Sequence, residues 1–388
     1  MTPAPADGEK PAAGRQRLAI TALFLANGLC IGAWATAIPA LKARFGLSDG
    51  TLSLALLAFA AGAVLSMPLA ALAIPRFGTG RVTRMAAAGF CASLLLPFLA
   101  GSFATLCLAA FMAGAANGAM DVSMNSHASL VERHWGSAIM SSFHAAFSVG
   151  GLLGAGLGAG LALWGAEPAG VLVVAALAGL ALTLAAWKAT GPGEIVASGS
   201  AFALPGGAVL PLCAIALLCF MCEGAVADWS AVYLESVAGA SAAAASSGFA
   251  AYSATMLAGR LKGDWAIRRF GDYAIVRGGG ALAALGLALA AGWPVPWVAA
   301  GGFALVGIGL ANIVPAVFSA TGRLGTSPAL GIAMAASAGY SGLLGGPPVI
   351  GAIATAAGLR AGMVFLVVAA GLIVLLAGVM RRDGRASA

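Results

Sequence analysis

Twelve long apolar runs separated by short polar connectors organise this chain. They lie at 17–40, 50–74, 82–100, 103–127, 137–163 and 168–188, then at 206–234, 243–265, 275–292, 296–320, 329–355 and 360–380. Their lengths approach or exceed the ~20 residues a helix needs to cross a bilayer, and all are longer than the ~9–11 of a barrel strand. The pattern predicts an all-α polytopic membrane protein with twelve transmembrane helices. Residues 1–16 are polar and Pro/Ala-rich and read as a disordered cytoplasmic tail. Residues 189–205 form the longest non-apolar stretch between runs. They read as a cytoplasmic linker between an N-terminal six-helix bundle (17–188) and a C-terminal one (206–380), with 381–388 a short cytoplasmic tail. The first run is span-length and lacks a small-residue cleavage site, so it reads as a span and not as a removable signal.

Polar positions inside the runs are few and clustered. Asn117, Asp121 and Asn125 fall within about 80° of arc on one helix, with Gly114 and Gly118 beside them. Ser141, His144, Ser148, Gly151 and Ala155 share a similar arc on the next. A small, polar stripe suits a helix facing water or another helix, not lipid.

Basic residues alternate along the map. Lys10, Arg15, Arg17, Arg76, Arg81, Arg84, Arg133, Lys188, Arg260, Lys262, Arg268, Arg269, Arg277, Arg323, Arg381, Arg382 and Arg385 fall on one side, against Lys42, Arg44 and Arg360 on the other. The positive-inside rule then places both termini in the cytoplasm of a multi-pass protein in the cell's inner membrane.

The chain also repeats itself. Ala73-Ile-Pro-Arg-Phe-Gly78 matches Ala266-Ile-Arg-Arg-Phe-Gly271. The same displacement carries Gly46 to Gly239, Ser48 to Ser241, Arg84 to Arg277, Gly114 to Gly307 and Ser126 to Ser319. Six spans per half give the copies one orientation: a parallel repeat whose pseudo-two-fold relates two bundles, with the solute held near the midplane.

Composition agrees with this picture. The chain is 61% hydrophobic and 9% charged, where a soluble domain carries about 25% charged residues. The net charge of +7 is spread over connectors, which argues for membrane topology and against nucleic acid. Cys30, Cys91, Cys107, Cys213, Cys219 and Cys222 lie in apolar runs without metal-ligand spacing and read as small buried hydrophobes. No metal, nucleotide-binding loop or cofactor is expected, so ATP is not the energy source.

At this point the chain resembles the major facilitator superfamily over its whole apolar length. The family's G-x-x-x-D-R-x-G-R loop is degraded: Ala71 replaces the Gly and Pro75 the Asp, while Arg76, Gly78 and Arg81 are present. Gly259, Asp264, Arg268, Arg269 and Gly271 make a looser second copy. The resemblance implies a cytoplasmic latch drawn from Arg76, Arg81, Asp264, Arg268 and Arg269, with Asp264 its remaining acid. The pattern D-x-x-M-N-x-x-A-x-x-V-E, here Asp121, Met124, Asn125, Ala128, Val131 and Glu132, is similar to that of the fucose-permease-like branch. Ser141-Ser-Phe-His144 and Glu223-Gly224 with Ala227-Asp228-Trp229 fit it too. The resemblance implies alternating access by a rocker-switch monomer.

Asp121 and His144 lie at similar depth, ~10 Å in at 1.5 Å per residue. A carboxylate and an imidazole so placed are candidates for taking up and passing on a proton; the structural alternative is a bond that pins the two spans. Glu223 lies mid-span, where transporter acids titrate or bind solute. Asp228 is about 140° further round a regular helix, so it faces elsewhere unless Gly224 breaks that helix; it remains a candidate gate or solute contact. Asn27, Asn117, Asn125 and Asn312 offer the paired donors and acceptors that hydroxyls need, or equally interhelical bonds. Trp34, Tyr252 and Tyr340 are candidates to stack on a sugar ring. Pro315 and Pro347-Pro348 are expected to break their helices. The expected function is proton-coupled symport of a small polar solute such as a sugar. The alternative is proton-driven export of drugs or metabolites; a remote one is a non-transporting sensor, or an intramembrane hydrolase pairing Ser141 or Ser142 with His144.

Overall fold

The computed structural model describes residues 9–47, 49–163, 168–191, 209–241, 244, 247–323 and 328–384. Among these residues ten helices are long and apolar enough to cross a membrane. One of the ten, Ser247–Gly292, is two helices meeting at Gly271, where φ is 79° and ψ 157°. Met140–Leu163 adds another of spanning length.

In chain order the twelve spans are α1 (Glu9–Arg44), α2 (Asp49–Phe77), α3 (Thr79–Leu99), α4 (Phe103–Trp135), α5 (Met140–Leu163) and α6 (Pro168–Ala186). Then follow α7 (Val209–Ser236), α8 (247–270), α9 (272–292), α10 (Pro296–Arg323), α11 (Pro328–Ala357) and α12 (Leu359–Leu376). A 3₁₀ segment, Ala377–Gly384, closes the described chain.

Two details differ from the expectation. Helix α1 begins at Glu9, so residues 9–16 of the expected disordered tail are helical. Glu, Lys, Ala and Arg are good helix formers, and once a span has nucleated a helix each added turn is cheap. Pro347 and Pro348 lie inside α11 without ending it, because neighbouring groups in a membrane bundle satisfy the backbone atoms that proline frees. The expected linker falls outside the described residues from 192 onward, as do residues 1–8 and 385–388.

The described residues fall into two compact units. The first lies within Met1–Ser137, Phe143–Ala203 and Gly325–Ala333, and the second within Ala138–Ser142, Leu204–Leu324 and Met334–Ala388. In the first, α1 and α5 approach through glycine. A Cβ on Gly28 would lie 2.0 Å from the Phe147 carbonyl oxygen, and one on Gly150 2.2 Å from that of Leu25. In the second, Gly286 and Gly302 bring α9 and α10 together in the same way. Association in lipid depends on such close backbone contact, since burying apolar side chains gains little there.

The sequence repeat is visible in the backbone. Gly78 and Gly271, which end the two matched hexapeptides, have φ of 80° and 79°, and the matched Gly46 and Gly239 have 59° and 76°. Each sits at a tight helix boundary in a conformation that disfavours any residue with a Cβ.

Candidate functional site

Each unit holds one polar cluster midway along its spans. In the first, Asn27 of α1 donates from Nδ2 to Asn117 Oδ1 of α4 at 3.0 Å, and lies 3.3 Å from the Met120 sulfur. Both amides are buried. About two turns further on α4, Asn125 Nδ2 donates to the Asp121 backbone carbonyl at 2.9 Å and to its carboxylate at 3.3 Å. Asn125 is fully buried, and its Oδ1 has no hydrogen-bond partner among the described residues.

The Asp121 carboxylate is bonded by Asn125, and the His144 ring lies edge-on to Phe24 of α1, centroids 5.4 Å apart. Phe24 in turn stacks on Phe143. Trp34 is also committed to packing: it stacks on Phe59 at 5.6 Å, among Ile38, Leu41, Leu52 and Leu106.

The second unit carries the charged cluster. Glu223, near the centre of α7, accepts from the Cys219 thiol at 3.6 Å, and its other carboxylate oxygen lies 3.9 Å from the Arg260 guanidinium of α8. Arg260 is buried, with Nε donating to the Ala311 carbonyl of α10 at 3.4 Å. Asn312, the next residue, returns the contact by donating to the Gly259 carbonyl at 3.0 Å. Residues 259–260 and 311–312 are thus cross-linked in both directions.

The local sequence explains this joint. A regular helix would bond the Ala311 carbonyl to the N–H of residue 315, but residue 315 is proline and has none. The helix interrupts in a turn at 311–312, and Arg260 takes the carbonyl. Gly263 makes room, because a Cβ there would lie 1.9 Å from Asn312 Oδ1 and 2.5 Å from the Ser141 Cβ. Break and proline go together at this position, as expected for Pro315.

Tyr252 of α8 is buried, within electrostatic reach of the Glu223–Arg260 pair. Tyr340 is half-buried and packs tilted against Phe220. Helix α7 runs unbroken through Gly224, so Asp228 points away from Glu223 and is exposed. Trp229 beside it donates to the Pro347 carbonyl at 3.3 Å.

Among the latch candidates, Asp264 accepts from the Ser142 backbone N–H at 3.1 Å and Arg268 donates to the Ala138 carbonyl at 2.8 Å. The two hold opposite ends of the 138–142 segment, with Asp264 on an N–H of the first turn of α5, where an anion is favoured. Arg269 lies over the Phe270 ring. Arg76 and Arg81 are exposed.

Three residues were misjudged or passed over in the sequence. Arg260 was counted among loop charges, yet it is buried in α8. The signal was available, since it lies inside the apolar run 243–265. Cys219 does more than fill space, because its thiol bonds Glu223. His127 is fully buried and bonded at Nδ1 to the Thr79 hydroxyl at 3.0 Å. Nearby, Arg84 gathers the Trp187 carbonyl, the Thr190 hydroxyl and the Gly191 carbonyl at 2.7–3.0 Å, over the Trp187 ring.

Comparison with known proteins decides the family. The profile of the Major Facilitator Superfamily matches residues 20–345. The chain belongs to the major facilitator superfamily. It is 39% identical over 274 residues to an uncharacterised transporter of this type from Yersinia pestis, covering 70% of this chain and 71% of that one. An uncharacterised transporter of Sinorhizobium fredii is 36% identical over 371 residues, covering 94% and 97%. Among solved structures, the E. coli fucose:proton symporter superposes with a TM-score of 0.74 at 14% identity, covering 93% of this chain and 97% of that one. This last likeness establishes the major facilitator fold. The superfamily consists of transporters and not enzymes, so the hydrolase reading of Ser141 or Ser142 with His144 falls. The Ser142 hydroxyl is instead donated to the Ile139 carbonyl.

Proposed function

We infer that this major facilitator transporter is a proton-coupled symporter of a small polar solute, working by alternating access as a monomer in the inner membrane. The observation that carries the reading is Glu223. A carboxylate at mid-span is costly unless its charge is balanced. Here the balance comes from Arg260 across a loose 3.9 Å contact and from a weak thiol donor. An acid held so lightly is suited to exchanging its proton as its surroundings change. Asp121, in contact with Asn125, is the second candidate carrier in this reading, with His144 a candidate relay. The solute contacts are assigned to amides, Asn27, Asn117, Asn125 and Asn312, which match hydroxyl groups in donors and acceptors. Tyr252 remains the aromatic candidate beside the charged pair, while Trp34, Tyr340 and Asp228 are secondary ones. Asp264 and Arg268, with Arg76, Arg81 and Arg269, are the proposed latch.

The test is solute-driven proton movement in proteoliposomes carrying a pH dye inside. Addition of the right solute outside should acidify the lumen, and Glu223→Gln or Asp121→Asn should abolish the response of whichever acid carries the proton. Accumulation of amphipathic cations in the lumen driven by an acidic interior, with protons leaving in exchange and without any solute-driven proton entry, would make the protein an exporter and end the symport reading.

A further inference from the structure

We propose that Cys219 is a positioning residue for Glu223: its thiol stays bonded to the carboxyl group whether or not that group carries a proton, and a hydroxyl at position 219 would not do the same. The inference rests on the symport reading above, in which Glu223 takes up and releases the proton.

The contact follows from the helix. Residues 219 and 223 are four apart on α7, which runs unbroken from Val209 to Ser236, and side chains at that spacing lie one above the other on one face. A long side chain on a helix leans toward the N-terminus, so Glu223 reaches back over the preceding turn and meets Cys219. The thiol sulfur lies 3.6 Å from Glu223 Oε1. Cys219 is fully buried, so water does not compete for its proton.

A thiol has one proton to give and a lone pair to receive one. Toward ionised Glu223 it donates S–H to Oε1. Toward protonated Glu223 it still donates to the carboxyl C=O, or it accepts the carboxyl O–H on sulfur. The contact therefore survives the arrival and departure of the proton without a side chain having to leave. The Arg260 guanidinium, 3.9 Å from the other carboxylate oxygen, carries donors only and cannot accept a carboxyl proton. The remaining titratable groups within electrostatic reach of Glu223 are Tyr252 of α8 and Cys222 of α7. From the other elements of the unit, α10 turns the Asn312 amide to the Gly259 carbonyl and its Arg323 is bonded to Asp272. Tyr340 of α11 packs on Phe220, and Arg360 of α12 is bound to the carbonyls of Ala291 and Gly292.

Sulfur matters here because oxygen would be captured elsewhere. Hydroxyls inside the spans commonly turn back on their own helix. Ser123, Ser126, Thr183, Thr321 and, on α7 itself, Ser236 donate to the carbonyl four residues earlier at 2.6–3.0 Å. A serine at 219 would meet the Ile215 carbonyl in the same way. A thiol is a weaker donor, and here it bonds the carboxylate instead. Distance acts in the same direction. A hydroxyl oxygen sits nearer its Cβ than sulfur does, while an O–H···O bond closes at about 2.5–3.0 Å. With the carboxylate 3.6 Å from the sulfur, serine begins too far from it.

The first test needs no solute. Infrared pH-difference spectra of the full chain in liposomes follow two bands: the S–H stretch, in a window that other protein groups leave clear, and the C=O stretch of protonated carboxyls. One S–H component should shift as the pH is stepped; it should vanish in Cys219→Ala and stop responding in Glu223→Gln. The C=O band lost in Glu223→Gln should be displaced in Cys219→Ala and Cys219→Ser alike. Cys222→Ala, which removes an equally buried thiol, should leave both signals in place. The second readout is transport of L-fucose, D-galactose, D-xylose and D-glucose with lumenal pH recorded. For whichever of these drives proton entry, net uptake should turn over roughly threefold to tenfold more slowly in both Cys219→Ala and Cys219→Ser, the scale of one ordinary hydrogen bond. KM and solute counterflow should stay unchanged, because counterflow never requires the proton to leave. An S–H spectrum that ignores pH, a Glu223 band unmoved by Cys219→Ala, or full turnover in Cys219→Ser would each overturn the proposal. Loss of proton entry in Glu223→Gln with full turnover in Cys219→Ala would overturn it while sparing symport. A pH-linked Cys219 band with no proton entry on any of the four sugars would uphold the contact and count against sugar symport instead.

Discussion

Arg260 on α8 donates from Nε to the carbonyl of Ala311 on α10, and that carbonyl is available because Pro315 lacks the N–H that would otherwise claim it. A break in one helix thus positions a charged side chain on its neighbour. Restoring the donor should undo this. Pro315→Ala is expected to hold or raise the melting temperature, since proline in a helix is unfavourable. It should weaken solute affinity by roughly tenfold to a hundredfold, the scale of one hydrogen bond to a charged group. Unchanged affinity in a folded variant would show that the Ala311 carbonyl does not orient Arg260.

The glycine seam between α1 and α5 gives a stability prediction. Gly28→Ala places a methyl 2.0 Å from the backbone oxygen of Phe147, whereas a Cβ on Gly156 of the same α5 meets nothing within 4 Å. Backbone cannot yield as a side chain tip can. Gly28→Ala should therefore cost about 1–3 kcal/mol or more, and Gly156→Ala should be neutral. Detergent melting curves compare them, and equal melting temperatures would contradict the seam.

The Asn27–Asn117 bond can be weighed by a double-mutant cycle. Each Asn→Ala change should destabilise the fold, and the pair should be less than additive by about 0.6 kcal/mol, up to about 1.7, the range for hydrogen bonds between membrane helices. Strict additivity would mean the 3.0 Å contact contributes nothing, leaving both amides to be judged by solute binding alone.

Arg84 gathers three acceptors where the chain leaves α6, at Trp187, Thr190 and Gly191. Arg84→Ala should speed proteolytic cleavage just beyond Gly191 and lower the melting temperature while leaving solute affinity unaltered. Arg84→Lys should fall between, since an ammonium cannot span the three acceptors in one plane or lie as well over the Trp187 ring. Loss of solute affinity with unchanged proteolysis would move Arg84 from the scaffold into the transport machinery.

Much of the candidate site could be read along the chain because membrane depth makes polar residues rare. Glu223, Asp121 and the four asparagines stood out for that reason, and the structure finds Asn27 with Asn117 and Asn125 with Asp121. Arg260 was legible in the same terms but was assigned to a loop, because a charge near the end of an apolar run looks like its boundary. Depth is one coordinate; the orientation of each helix about its own axis sets which neighbour a group meets, and it brings the His144 ring edge-on to Phe24.

The sequence by itself determined that this is a membrane protein of twelve helices built from a repeat, with superfamily membership legible in its motifs. Hydrophobic length, glycine placement and charge alternation are local or one-dimensional quantities, and they act before any helix meets another. Only the tertiary structure decided which polar groups became partners. The joint of Glu223, Arg260, Ala311 and Asn312 draws on three helices separated by tens of residues. It depends on a missing proline donor, the room left at Gly263 and helix rotations that no pattern along the chain records.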